Sequence, residues 1–278
     1  MTTDPTALRE QAREWGRSFV DLPPWEPLSE RLSLILAAPY DDWPLPLAPP
    51  QASLWLLVDR ASASALPEAI RRPLVDTGVV VERRPATISD PAVELTIRTA
   101  EAVERSLEGV SRRDLEVRWL LAHAEPVADR LRRLERLAEQ ARLLPDDGLE
   151  RATRSLWLDA YASVRALWSL PSEGSRALVA AGELAGALLR IACLLDHGAH
   201  PTAERLEVDG SDTRIGLRLV HWLDDLRAAL GGDATAGRRS VNAAEQVLAE
   251  VRSILAERYR DRDWLRDPSS YELRSRRR

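Results

Sequence analysis

From Arg176 to His197 the chain reads RALVAAGELAGALLRIACLLDH, apolar almost all the way round. A soluble helix tolerates that only when neighbours bury most of its sides, so this stretch predicts a central helix. Its polar residues Arg176, Glu183, Arg190 and His197 recur every seventh position and form one narrow stripe open to water. Ala180, Ala181, Gly182, Ala185 and Gly186 are expected to let neighbouring backbones approach closely. Around it the 3.6-residue period predicts further helices. One runs over 149–170 through Ala152, Leu156, Ala160, Val164 and Leu167, and another over 213–230 through Ile215, Leu219, Trp222 and Leu226. A third runs over 241–265 through Ala244, Val247, Leu248, Val251 and Leu255. Upstream, Ser111 to Asp114 has capping-box form and should open a helix reaching Leu121. Pro126 breaks that helix, and helical spacing resumes from Val127 to Leu144. These elements predict an up-and-down helical bundle over 111–265. The tail 266–278, ending RSRRR, is expected to be disordered or to touch an acidic partner.

The first 110 residues read differently, because short apolar runs alternate there with helical spacing. A helix capped by Asp4 or Thr6 runs to Phe19, with Leu8, Ala12, Trp15 and Phe19 on one side. Leu32 to Ala37 is either a short buried strand or the end of a helix. Pro39, Pro44, Pro46, Pro49 and Pro50 exclude regular structure from the following loop. Ser53 to Asp59 alternates as a strand, Leu66 to Leu74 is helical, and Val79 to Val81 and Val93 to Ile97 are β-branched runs of strand length. The fold class is therefore α+β: a small mixed α/β domain over 1–110, then the helical bundle.

Composition narrows the partners. With 39 basic and 44 acidic side chains the net charge is −5, and the two signs are interspersed, so bulk nucleic-acid binding is not expected. Every basic residue is arginine, which a GC-rich genome or thermal adaptation would each produce. The single cysteine, Cys193, lies in the most apolar part of the central helix and reads as a buried, inert thiol. No secretory signal opens the chain, and Glu183 and Arg190 interrupt the longest apolar run. A soluble, cytoplasmic protein without a membrane partner is expected.

The order AAGELAGALLRIACLLDHG, a polar link and PTAERL resembles the helical domain of kanamycin nucleotidyltransferase and related antibiotic nucleotidyltransferases. AVELTIRTAEAVERSL, from Ala92 to Leu107, is similar to that family's late strand and following helix, and the resemblance spans roughly 28–230. It implies a nucleotidyltransferase-like α/β domain in which a Gly-Ser turn holds a triphosphate. Two carboxylates one residue apart on the next strand would bind magnesium, which offsets charge during in-line displacement. This sequence departs at both places. Ala38 and Pro39 stand where Gly-Ser is expected, and Gln51 and Ser53 where the paired acids are expected; residues 43–58 contain no Asp or Glu. The resemblance thus implies a degenerate member, a catalytically inactive pseudoenzyme that binds, regulates or assembles with a protein partner or small molecule, with no cofactor.

Two enzymatic alternatives stay open. Asp41, Asp42, Asp59 and Glu94 are metal candidates for an atypical magnesium- and NTP-dependent transferase, provided at least two converge. Asp159 lies near where a relative supplies a general base. The bland readings are turn-forming aspartates and solvated faces. Arg190 and His197, separated by six residues, are spaced as in HEPN-type ribonucleases, found also as toxin–antitoxin components, where arginine stabilises and histidine protonates a cleaving phosphodiester. That reading needs both residues, with Glu183 on the same stripe, to line an exposed groove across a homodimer. The bland alternative is a salt-bridged stripe along one helix. Trp25 and Trp43, beside prolines, either anchor loops or floor a cleft.

Overall fold

The computed structural model describes residues 5–37, 51–84, 92–170, 175–260, 262–269 and 271. The chain divides into two compact units, Met1–Leu143 and Leu144–Arg278. A mixed α/β unit is followed by an all-helical one, as the hydrophobic pattern predicts.

Unit 1 is built on five described strands in the order β3-β4-β2-β1-β5. Helix α1 (Pro5–Phe19) and a short 3-10 turn (Glu26–Arg31) lead into β1 (Leu32–Leu36), which settles the ambiguity over LSLILA in favour of a strand. β2 (Gln51–Val58) pairs antiparallel with β1, then α2 (Arg60–Ala63) and α3 (Glu68–Thr77) lead to β3 (Val79–Arg84). β4 (Ala92–Thr99) lies parallel to β2 and antiparallel to β3. Gly78 ends α3 at φ 73°, a left-handed turn open to glycine at little cost. Period-two alternation then assigns the two faces. Leu34, Leu54, Leu56, Leu95 and Ile97 pack with Phe19, Trp25 and Leu74 on one side. Ile35, Trp55 and Leu57 pack on the other beneath α4 (Ala100–Glu108), α5 (Arg112–His123) and α6 (Leu134–Arg142). Trp25, expected to anchor a loop or floor a cleft, is 1% exposed within this core.

The unit boundary corrects the sequence-based one. The hydrophobic pattern places 111–143 in the helical bundle, with helical spacing from Val127 to Leu144; these residues belong instead to the α/β unit. Glu125–Asp129 forms β5, antiparallel to β1, and only Leu134–Arg142 is helical. Pro126 fits because β5 is an edge strand and its register shifts opposite Leu34 and Ile35. Arg9 and Arg13 of α1 both pair with Glu125. The Asp129 carboxylate accepts from the Ser33 hydroxyl at 2.5 Å and from the amides of Arg133 and Leu134, tying β5 to β1 and to the start of α6. The predicted capping box is present: Ser111 accepts from the Asp114 amide while the Asp114 carboxylate accepts from the Ser111 amide.

Unit 2 begins with α7 (Asp146–Trp168) and the central helix α8 (Ser175–His197), followed by α9 (Ala203–Ser211), α10 (Gly216–Leu230), α11 (Ala234–Tyr259) and α12 (Asp263–Arg266). Helix α8 packs against α7, α9, α10 and α11. It is also long and apolar enough to cross a membrane, and 61% of its most apolar window is buried within the fold, the setting of a core helix. Its small residues serve unevenly. A Cβ on Gly182 would meet nothing within 4 Å, so that glycine is not a packing notch. The close approach lies instead at the turn from α9 to α10, where a Cβ on Gly216 would stand 2.0 Å from the Gly210 carbonyl oxygen. The tail also departs from expectation between Arg266 and Ser269. Pro268 is buried, the Arg266 carbonyl accepts from Arg252 at 3.1 Å, and Ser269 bonds Tyr161 at 3.0 Å. Residues 272–278 lie outside the described residues.

Candidate functional site

Of the positions singled out from the sequence in unit 1, Gln51, Ser53 and Glu94 lie at one corner of the sheet. The Ala37 amide donates to the Ser53 carbonyl at 2.8 Å, so the chain leaves β1 beside Ser53, immediately before Ala38 and Pro39. Ala38, Pro39, Asp41, Asp42 and Trp43 themselves lie outside the described residues. Parallel pairing of β2 with β4 sets Gln51 opposite Ala92 and Ser53 opposite Glu94, and Glu94 also faces Arg83 of β3 in register. Paired residues share a face, so Ser53 and Glu94 stand side by side on the face that carries Trp55 and Leu57. The corner therefore holds one described carboxylate, Glu94, next to a hydroxyl.

Asp59 lies elsewhere. It follows the far end of β2, six residues beyond Ser53, which at about 3.3 Å per residue is roughly 20 Å away. There it caps α2, accepting from the Ser62 amide at 2.7 Å and the Ser62 hydroxyl at 2.8 Å. Burial pushes its carboxyl up, but the Ser62 bonds and the Arg31 charge outweigh that and hold it below the usual carboxylate range. Its pattern, Asp followed three residues on by Ser, is the turn-forming reading. Among the described residues no group of three or more His, Cys, Asp or Glu is placed to hold a metal.

In unit 2, Asp159 of α7 and Arg190 of α8 are close enough to interact. Burial pushes the Asp159 carboxyl up and the Arg190 charge opposes it. Arg190 is half-buried, and a Cβ on Gly186 would approach its guanidinium to 3.0 Å, so that glycine makes room for it. Glu183 is exposed, and His197 is exposed at the last residue of α8. Arg190 is thus half-buried while His197 is exposed, and the Arg190 charge acts on Asp159 of α7. Cys193 is fully buried, and burial, with the nearby Asp209 and Asp196 charges, pushes its thiol up to about 12. That is an unreactive thiol.

Two arginines of unit 1 escaped the sequence reading. Arg98 of β4 stacks over Trp55 at 4.1 Å, and burial first, with the Arg113 charge, lowers its guanidinium to about 10. Arg118 of α5 is 1% exposed and donates to the carbonyls of Gln140 at 2.6 Å, Ala141 at 3.2 Å and Leu143 at 3.1 Å, and also to that of Leu107. The only signal for Arg98 was its place in a strand whose alternate residues are apolar.

No protein-family model matches the chain, and no curated protein matches it. Among solved structures, the chain is similar to a nucleotidyltransferase-like protein from Exiguobacterium sibiricum 255-15. The two share 15% identity and a TM-score of 0.39, over 91% of this chain and 80% of that one. A TM-score of that size leaves the functional argument to the residues.

Proposed function

We propose that this chain is a degenerate nucleotidyltransferase-like protein that binds a small molecule or a protein partner and transfers no nucleotidyl group. The observation that carries this reading is the register of β2 against β4. It sets Glu94 beside Ser53, and Gln51 two residues before, where a metal-dependent transferase needs a pair of carboxylates. A lone carboxylate beside a hydroxyl holds magnesium poorly, since the ion relies on ligand charge to offset dehydration. Asp59, the other described candidate on these strands, is committed to an N-cap at the far end of β2. Among the described residues the corner lacks the carboxylate pair that metal-dependent transfer needs, which suits a binding, regulatory or assembly role in the cytoplasm.

The second reading, an atypical magnesium-dependent transferase, draws on Glu94, which stands in the corner where such an enzyme would carry an acid. Calorimetric titration with ATP, GTP, CTP and UTP, each with and without magnesium, separates the two. The inactive reading expects no magnesium-dependent heat and no pyrophosphate release. Magnesium-dependent binding at micromolar affinity, abolished by Glu94→Gln, would establish the transferase instead.

A further inference from the structure

We propose that the outward face of α8 between Arg176 and Glu183 is a docking surface for a second copy of this chain, which crosses it antiparallel about a twofold axis. Arg176, Val179, Gly182 and Glu183 are all exposed, and at about 100° per residue they fall within roughly a 120° arc of one helix face. Val179 stands there as an apolar side chain 63% exposed. One turn on, a Cβ at Gly182 would meet nothing within 4 Å, so bare backbone lies open beside it. The face thus carries a knob and a hollow of its own, on a helix otherwise packed against α7, α9, α10 and α11.

The charges on this face are unanswered within the chain. Inside α8 the residues three and four positions from Arg176 and Glu183 are Val179, Ala180, Gly186 and Ala187, so neither charge can form an ion pair along its own helix. Among the described residues neither pairs with a side chain of another element. The midpoint of Arg176 and Glu183 and the midpoint of Val179 and Gly182 fall one residue apart, about 1.5 Å along the axis. A single twofold axis therefore serves both pairs. It sets each Val179 into the hollow at the second copy's Gly182 and brings each Arg176 within reach of the second copy's Glu183. The surface is self-complementary in shape and in charge, which an isologous contact requires. A parallel copy would instead set Arg176 beside Arg176 and Glu183 beside Glu183, like against like. One helix face falls short of the roughly 800 Å² per partner of a standard interface, so the dimer is a weak, reversible one. It involves unit 2 alone and is independent of the reading of the Ser53–Glu94 corner.

The test is sedimentation equilibrium of the full-length chain from low micromolar to submillimolar concentration, at low ionic strength. We expect the mass to rise from 31.1 kDa toward twice that value as concentration increases. Gly182→Leu fills the hollow at an exposed position with open space around it, so it leaves the fold intact and should weaken association at least tenfold. Arg176→Glu and Glu183→Arg should each do the same by setting like charges together, and the double exchange of Arg176→Glu with Glu183→Arg should restore association. Recovery in the double exchange separates the contact from any effect on folding. A mass of 31.1 kDa at every concentration, a dimer that the single charge reversals leave unchanged, or a double exchange no stronger than either reversal would overturn the proposal. That failure is distinct from the outcome of the nucleotide titrations, which probe the other unit.

Discussion

Replacing Arg118 with methionine tests whether one buried arginine holds the helix layer of unit 1 together. Its guanidinium donates to Leu107 at the end of α4 and to Gln140, Ala141 and Leu143 around the end of α6. Carbonyls at helix C-termini have no intrahelical partner, so this side chain does the capping for two helices at once. Methionine keeps most of the packed stem and removes the donors. The bonds to Leu107 and Ala141 are fully buried. Each orphaned buried carbonyl costs about 1–3 kcal/mol, giving roughly 2–6 kcal/mol for the pair. The Gln140 and Leu143 acceptors are only partly buried and turn to water. Removing a buried charge returns part of the cost; burial already lowers the Arg118 pKa, with Asp114 opposing. The net expectation is about 2–4 kcal/mol. Hydrogen exchange read by mass spectrometry on the full chain should show amides of α4 and α6 exchanging at least about thirtyfold faster, the equivalent of ~2 kcal/mol. Peptides from α8, in the other unit, serve as the internal reference. Unchanged protection across 134–142 in Arg118→Met would refute the capping role.

Three further expectations follow from unit 2. Gly182→Ala should raise its stability by about 0.5–1 kcal/mol, because the added Cβ meets open space within a helix, whereas Gly216→Ala should unfold it at markedly lower denaturant. Parallel urea melts decide this, and equal effects of the two substitutions would contradict the packing described. Cys193, with its thiol near 12, should resist alkylation at pH 8 in the native protein and react once urea unfolds it; native labelling at the rate of a free thiol would place it at the surface. Asp159 has a raised folded pKa, so the folded state binds the extra proton. Its contribution to stability should therefore grow as pH falls from the folded value toward the ordinary carboxylate value near 4. Asp159→Asn should flatten the stability profile across that window, and a profile identical to the parent would show that Asp159 is ordinarily solvated.

Elements with a strong local signature were legible in the sequence: the apolar α8, the capping box opening α5, and the strands that became β2, β3 and β4, whereas the short apolar run of β1 fitted a helix end equally well. β5 was not legible, because EPVAD has no alternating apolar pattern and its residues are half-buried or exposed. What makes it a strand is distant: the β1 edge, the arginines of α1, and Ser33 bonding Asp129. Arg98 and Arg118 were opaque for a related reason. Their partners are an indole ring and main-chain carbonyls, which leave no complementary charge in the sequence to reveal burial.

The late return of β5 has a consequence for any attempt to divide this protein. β1 is buried along its whole length, and β5 supplies its second row of hydrogen-bonding partners from some 95 residues downstream. A fragment ending at residue 110, where hydrophobic patterning alone would cut, keeps β1 but strips its outer side bare. An apolar strand with unpaired amides and carbonyls recruits whatever strand it meets, including its own copies. A newly made chain carries the same exposure until residue 129 emerges, so the α/β unit would spend much of its synthesis adhesive and become self-contained only late.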